Sequence, residues 1–243
     1  MLANLRDCER RGGFFDLITC NHDTVRLAPR LTDRERRLAF GMLLTMPGCP
    51  FVYYGDEIGL AYRPLPTKEG GYVRTGSRTP MQWSSDEPNL GFSTVDSAAL
   101  YLPVDAADAH PLVAADTEAV ADDADPVPTA AAAMADPDSL WHWIRSLIGI
   151  RRAHPALRAD GRLDVLAAPA DGRVFAYRRS IATDEDGMTG DIIVAMNPGR
   201  SMQRVDLPEP DHDCTVLLEC GDPMAADGGF ILPPQSFIVI AVH

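Results

Sequence analysis

The stretch FFDLITCNHD, from Phe14 to Asp23, decides how the rest of the chain is read. Its first seven residues are mostly apolar and rich in β-formers, consistent with a short buried strand, and they break into the polar run Asn21-His22-Asp23. Downstream, Thr32-Asp33-Arg34-Glu35 fits a capping box, with threonine at the N-cap and glutamate three residues on. The helix opened there carries Leu38, Phe40, Met42 and Leu43 and stops at Pro47-Gly48. A second apolar run, Phe51-Val52-Tyr53-Tyr54, ends on another polar cluster, Gly55-Asp56-Glu57. Strand, loop, helix and strand within about 45 residues make a βαβ unit, whose strands are expected to be parallel with a right-handed crossover. Both polar clusters then fall at the carboxyl ends of neighbouring strands, the edge where catalytic residues collect in α/β folds.

Beyond this unit the pattern changes. Ser139 opens a helix, SLWHWIRSLIGIRRAHP, with Leu140, Ile144, Leu147 and Ile148 on one apolar face. Arg151 and Arg152 suit its negative carboxyl end, and Pro155 stops it. After that the hydrophobic period becomes two. Strands are expected at 163–168, 173–179, 191–197, 202–207, 215–220, 229–232 and 236–242, separated by Gly, Pro, Asp and Asn. Short strands at such spacing argue for a small antiparallel β-sandwich. The fold class is thus α/β plus all-β, with an α/β part over residues 1–157 and a β domain over 158–243.

Composition narrows the function. At 46% hydrophobic residues, the 243-residue chain can build a packed core. A net charge of −13 argues against a nucleic-acid partner, because phosphates must be neutralised by cations. No run approaches the roughly 20 apolar residues of a membrane span. The opening MLANLRDCERRGG has no apolar core of a secretory leader, so the expected location is the cytoplasm. Five cysteines without a C-x-x-C pair read as reduced thiols, not as a zinc site; no metal or other cofactor is expected. The charge is also localised. From Thr79 to Ile144 there are twelve acids and no Lys or Arg, which leaves the remainder nearly neutral. Within that stretch, about 106–136 is low-complexity Ala/Asp/Pro without an aromatic residue, and reads as an acidic loop inserted in the α/β part.

Two carboxylate clusters at adjacent strand ends, Asp23 with His22 and Asp56 with Glu57, suit acid/base or nucleophilic chemistry. Glycoside hydrolysis uses paired carboxylates around an oxocarbenium-like transition state. Strand-end acids also serve as loop anchors, and a lone His22 is commonly a hydrogen-bonded structural residue. The wider context is more specific. ITCNHDTVRLAPR, then MLLTMPGCPFVYYGDEIGL, then RTGSRTPMQW resemble the α-amylase family of glycoside hydrolases, in its α-glucosidase and trehalose-synthase-like branches. Asn-His-Asp resembles the family's seventh-strand motif, and LLTMPGCPFVYYGDEIG its eighth strand with the preceding helix. GFSTVDSAALYLPV and SLWHWIRSLIGIRRAHPAL resemble the end of the family's barrel, and the β-rich tail resembles the domain that follows.

The resemblance implies the last two βα units of a TIM (β/α)8 barrel followed by the β-sandwich. It implies a retaining enzyme acting on α-glucosidic bonds, with an α-gluco-oligosaccharide as its partner. Carried over, it makes Asp23 the transition-state-stabilising carboxylate, and His22 and Asn21 ligands of sugar hydroxyls. Arg26 reaches substrate or pairs with a loop acid; Asp56 and Glu57 hold the loop after the last strand; Arg78, Met81 and Trp83 pack that loop, with Trp83 either buried against the barrel or stacked on a sugar ring. The family's nucleophilic Asp and proton-donating Glu belong to upstream motifs that these 243 residues do not contain, so the chain alone is expected to be inactive. Two other readings stay open: a non-catalytic carbohydrate-binding relative, and part of a transglucosidase or isomerase. Replacing 106–136 by a short Gly/Ser linker is expected to leave the denaturation midpoint nearly unchanged, since that composition builds no core.

Overall fold

Thr32 and Glu35 close the box that their spacing suggests. In the computed structural model, which describes residues 2–28, 30–67, 74–104, 127–169, 172–181, 190–207 and 213–243, the Glu35 N–H donates to Thr32 Oγ1 at 3.3 Å. The Thr32 N–H and hydroxyl both donate to Glu35 Oε2, at 2.9 and 3.0 Å. The elements around this cap are α1 (Leu2–Arg10), β1 (Asp16–Ile18), α2 (Asp33–Thr45) and β2 (Cys49–Phe51), with β1 and β2 joined in a two-stranded sheet. The second strand begins earlier than its apolar run suggests and ends at Phe51. Its Cys49 N–H donates to Phe15 O at 3.0 Å, while Tyr53 O is already taken by the Asp56 N–H of the following turn.

Helices α3 (Ala130–Ala135) and α4 (Leu140–Ala153) follow. The acidic segment is only partly described, since residues 105–126 lie outside the described set, and with them most of the expected loop. From residue 127 onward that expectation is corrected. Thr129 caps α3 by accepting the Ala132 N–H, and Ala130 is buried beside Ile58 and Leu60. The Ala130 and Ala131 N–H groups donate to Gln82 O and Trp83 O, each at 2.9 Å. Alanine's high helix propensity and small volume suit such a close approach. A linker replacement must therefore stop before Val127. Among the described residues, no helix is long and apolar enough to cross a membrane.

The chain divides into two compact units: Met1–Leu17 with Arg37–Phe51 and Ile144–His243, and Ile18–Arg36 with Val52–Trp143. The first unit holds the β-rich tail, made of β3 (Arg162–Ala167), β4 (Phe175–Ser180), β5 (Asp191–Asn197), β6 (Gln203–Asp206), β7 (Cys214–Cys220), β8 (Met224–Ala226), β9 (Gly229–Leu232) and β10 (Ser236–Val242). One sheet has the order β3-β4-β5-β10-β7 and the other β6-β9-β8, with antiparallel pairing in both. All seven expected strands form; the short β8, only three residues long, is additional.

Alternation along the strands divides their side chains between two layers. Ala176, Ile193, Ala195, Ile238 and Ile240 from one sheet, with Val174 just before β4, meet Val205, Phe230 and Leu232 from the other in a single core. Phe237, on the opposite face of β10, lies against Gly41 of α2, where an added Cβ would stand 2.5 Å from the ring. Gly41 costs the helix about 1 kcal/mol relative to alanine, and it allows this contact.

The carboxyl end of α2 is closed by two arginines from elsewhere in this unit. A helix leaves its last carbonyls without intrahelical partners, and its dipole favours a cation there. Arg151 Nη1 donates to Leu44 O and Met46 O at 2.7 and 2.9 Å, and its Nη2 to Gly48 O at 2.8 Å. Arg179 donates to Thr45 O and also to Arg158 O, Gly161 O and Arg162 O. Tyr177, two residues before Arg179 and on the same strand face, places its hydroxyl 2.5 Å from Thr45 Oγ1. Burial pushes the Arg179 guanidinium down to about 10. Arg151 therefore serves α2, whereas its sequence position suggests the end of its own helix. Replacing Arg179→Met is expected to lower the unfolding free energy by about 3 kcal/mol, because several buried carbonyls lose their donor. Tyr177→Phe is expected to cost about 1 kcal/mol. Urea denaturation of both variants checks the order; a larger loss from the tyrosine would shift the main role to its hydroxyl.

Candidate active site

Asn21-His22-Asp23 forms a tight turn, separated from the end of β1 by two residues. The Asp23 N–H donates to Asn21 Oδ1 at 2.8 Å, and the Asn21 N–H donates to Thr24 Oγ1 at 2.9 Å. This turn projects the Asp23 carboxylate towards two guanidiniums. Arg78 Nη2 lies 2.8 Å and Arg74 Nη1 3.1 Å from Asp23 Oδ1, while His22 Nε2 is 3.3 Å from Oδ2. Arg78 Nε also donates to His22 O at 3.0 Å, so one side chain fixes both backbone and carboxylate. Desolvation opposes ionisation of Asp23. The Arg78 hydrogen bond and the charges of His22, Arg74 and Arg78 outweigh it and hold the carboxyl below its ordinary range. The result is a partly exposed, ionised carboxylate beside an exposed imidazole.

Arg26 has a different place. Its side chain is fully buried and pairs with Asp56, with Nη1 at 3.0 Å from Oδ1. Nη1 also donates to Tyr54 O at 2.6 Å, and Nη2 to Ser77 O at 3.1 Å. The guanidinium carbon sits 4.6 and 4.8 Å from the ring centroids of Tyr53 and Tyr54, within cation–π range. Of the two uses open to Arg26, the geometry is that of a pair with a loop acid.

Asp56 accepts from Thr19 Oγ1 at 3.0 Å and Cys20 Sγ at 2.9 Å on its other oxygen. Burial, then the Asp56 hydrogen bond and charge, push the Cys20 thiol up to about 12, so it remains a protonated donor. Gly55 makes the turn before Asp56 with φ 83, a conformation glycine adopts without penalty. Glu57 is half-buried, and burial raises its carboxyl.

Arg78 acts on Asp23 as well as packing its loop. The burial expected of Trp83 is corrected: the side chain is 52% exposed, and its backbone N–H donates to Leu90 O in a turn. Arg74 has no place in the sequence reading. The signal for it is the pair of arginines four apart in RTGSR, a short loop in which both can face one anion. Among the described residues, no three His, Cys, Asp or Glu side chains converge as a metal ion would need. The first unit holds a cavity of about 640 Å³ lined by residues such as Leu5, Cys8, Phe15 and Leu163, none of them from the Asp23 cluster.

Comparison with known proteins gives this geometry a context. The family model described as "Alpha amylase, catalytic domain" matches residues 1–160. The trehalose synthase/amylase TreS of Mycobacterium tuberculosis is 35% identical over 179 residues, 71% of this chain and 25% of that protein. The trehalose synthase of Thermus thermophilus is 33% identical over 196 residues, 80% of this chain and 18% of that protein. The isomaltulose synthase SmuA of Protaminobacter rubrum has a similar fold, with a TM-score of 0.74 at 20% identity, covering 100% of this chain and 46% of that one. The chain thus spans a quarter or less of the length of these two trehalose-synthase relatives.

The cluster carries a pH dependence of definite sign. The folded Asp23 carboxyl lies below its unfolded value, so its contribution is complete above the ordinary aspartate range and is lost as pH falls through the folded value. Asp23→Asn removes that contribution at every pH, so it is expected to lower the thermal midpoint at neutral pH and to flatten the fall on the acid side. Thermal midpoints measured across acid pH check this; an unchanged acid limb would count against ion pairing at Asp23.

Proposed function

The chain belongs to the α-amylase family, and on that footing we propose that it forms part of a retaining glycoside hydrolase acting on α-glucosidic bonds of oligosaccharides. Its α/β part supplies the last two βα units of a (β/α)8 barrel, and residues 158–243 form the β-sandwich domain that follows in the chain. The nucleophile and proton donor come from polypeptide outside these 243 residues, and the assembled enzyme works in the cytoplasm.

The observation that carries this reading is the fixed, ionised Asp23 carboxylate. Cleavage of a glycosidic bond builds positive charge on the sugar ring, and a preorganised anion lowers the energy of that state more than that of the neutral ground state. His22, exposed beside Asp23, offers a ring nitrogen to a sugar hydroxyl, and Asn21 shapes the turn that presents both. Arg26 acts from behind the site, not on the sugar.

A second reading has specific support. The trehalose-synthase relatives favour an enzyme that transfers the glucosyl group to a sugar hydroxyl instead of to water. Both readings use Asp23 in the same way and differ in the acceptor. A non-catalytic binding role fits less well, since a binding surface does not require an anion fixed by two guanidiniums.

In protein containing the whole barrel, Asp23→Asn is expected to lower kcat on maltose or nitrophenyl α-glucoside by about 100-fold or more, with KM changed little. The 243 residues alone are expected to give no turnover. A near-native kcat in the variant would remove Asp23 from the chemistry, and turnover by the isolated chain would overturn the division of catalytic groups. Disaccharide product in place of free glucose would select the transfer reading.

A further inference from the structure

We propose that the buried Arg26–Asp56 pair is the positioning device of Asp23, tying together the three segments that set where the carboxylate and its two arginines stand. The proposal rests on the reading of Asp23 as the reactive carboxylate and adds residues that touch no substrate.

The connectivity carries the argument. Asp56 Oδ2 accepts from Thr19 Oγ1 and Cys20 Sγ, immediately before Asn21. Asp56 Oδ1 accepts from Arg26 Nη1, three residues after Asp23. One carboxylate therefore holds both ends of the short loop Asn21–Val25 and closes it into a ring. Nη2 of the same guanidinium donates to Ser77 O, and Ser77 Oγ returns a hydrogen bond to Thr24 O at 2.5 Å. Ser77 lies between Arg74 and Arg78, so the arginine segment is pinned to the Asp23 loop at two points. Nη1 also donates to Tyr54 O, and the Tyr53 and Tyr54 hydroxyls donate to Ser77 O and Thr79 O at 3.1 and 2.6 Å.

The turn at 53–56 is thereby fixed to the same frame. Arginine suits this place because its planar fork directs donors to Asp56, Tyr54 and Ser77 at once, which a lysine ammonium on a flexible stem does not reproduce. A site that stabilises charge through geometry needs such support, since small displacements of a fixed anion weaken it.

The test is a titration of the Asp23 carboxyl by carbon-13 NMR in protein containing the whole barrel, with circular dichroism confirming the fold of each variant. Asp23 is faced by His22, Arg74 and Arg78. In Asp56→Asn, loss of a neighbouring negative charge would by itself lower the Asp23 midpoint further. Loss of positioning would raise it towards the ordinary aspartate value. A rise is expected; a fall or no change overturns the proposal.

Asp56→Asn leaves Arg26 buried without its partner, so a charge-neutral variant, Thr19→Val with Cys20→Ala, accompanies it. There the expected rise has no direct electrostatic source, and an unchanged midpoint overturns the proposal. Unfolding of this milder variant also counts against it, because the network would then be a folding requirement and not a positioning one. The readout needs no turnover, so its failure leaves the catalytic reading of Asp23 standing, while an active Asp23→Asn enzyme would end that reading whatever the titration shows.

Discussion

A helix that ends inside a protein presents carbonyls that water can no longer satisfy, and the end of α2 shows how much structure can be organised around that fact. Carbonyls of Leu44, Thr45, Met46 and Gly48 are taken by two guanidiniums, one from α4 and one from β4. These groups lie more than a hundred residues apart in sequence, so the clamp is a long-range contact with a local cause. It fixes the point at which the chain turns from α2 into β2. The Gly48 N–H reaches Ala159 O there, and Cys49 begins pairing with Phe15.

The two units answer the same problem, a buried arginine, in different ways. Arg179 keeps its charge among carbonyl oxygens, and desolvation shows in its lowered pKa. Arg26 is neutralised by Asp56 and sandwiched by aromatic faces. The first arrangement ends a helix, for which partial negative charges suffice. The second sits behind a cluster already crowded with charge. A net-neutral pair there adds rigidity without pulling on Asp23's own partners.

What the sequence discloses follows the range of the interaction concerned. The capping box at Thr32 and Glu35 and the seven longer strands of the tail depend on neighbours or on a period of two, and each can be read directly. The limits of β2 could not, because the turn at Gly55 and the capture of Tyr54 O by Arg26 decide where that strand stops. Helix α3 was hidden by composition: an alanine run in an acidic stretch looks like a loop until Thr129 caps it and Gln82 and Trp83 accept its N–H groups. At the site, the Asn-His-Asp run marks Asp23 clearly. Its partners come from residues more than fifty positions later, so only the fold brings Arg74 and Arg78 to it.

The contact of Gly41 with Phe237 couples two positions. A hydrogen atom on one side and an aromatic ring on the other fill a shared volume that neither can enlarge alone. A methyl group at 41 requires the ring at 237 to shift, and a smaller side chain at 237 removes that requirement. The effect of either substitution therefore depends on which residue is already present at the other site. Through that dependence, the helix following the Asp23 loop and the last strand of the tail limit one another's side chains, although nearly two hundred residues separate them.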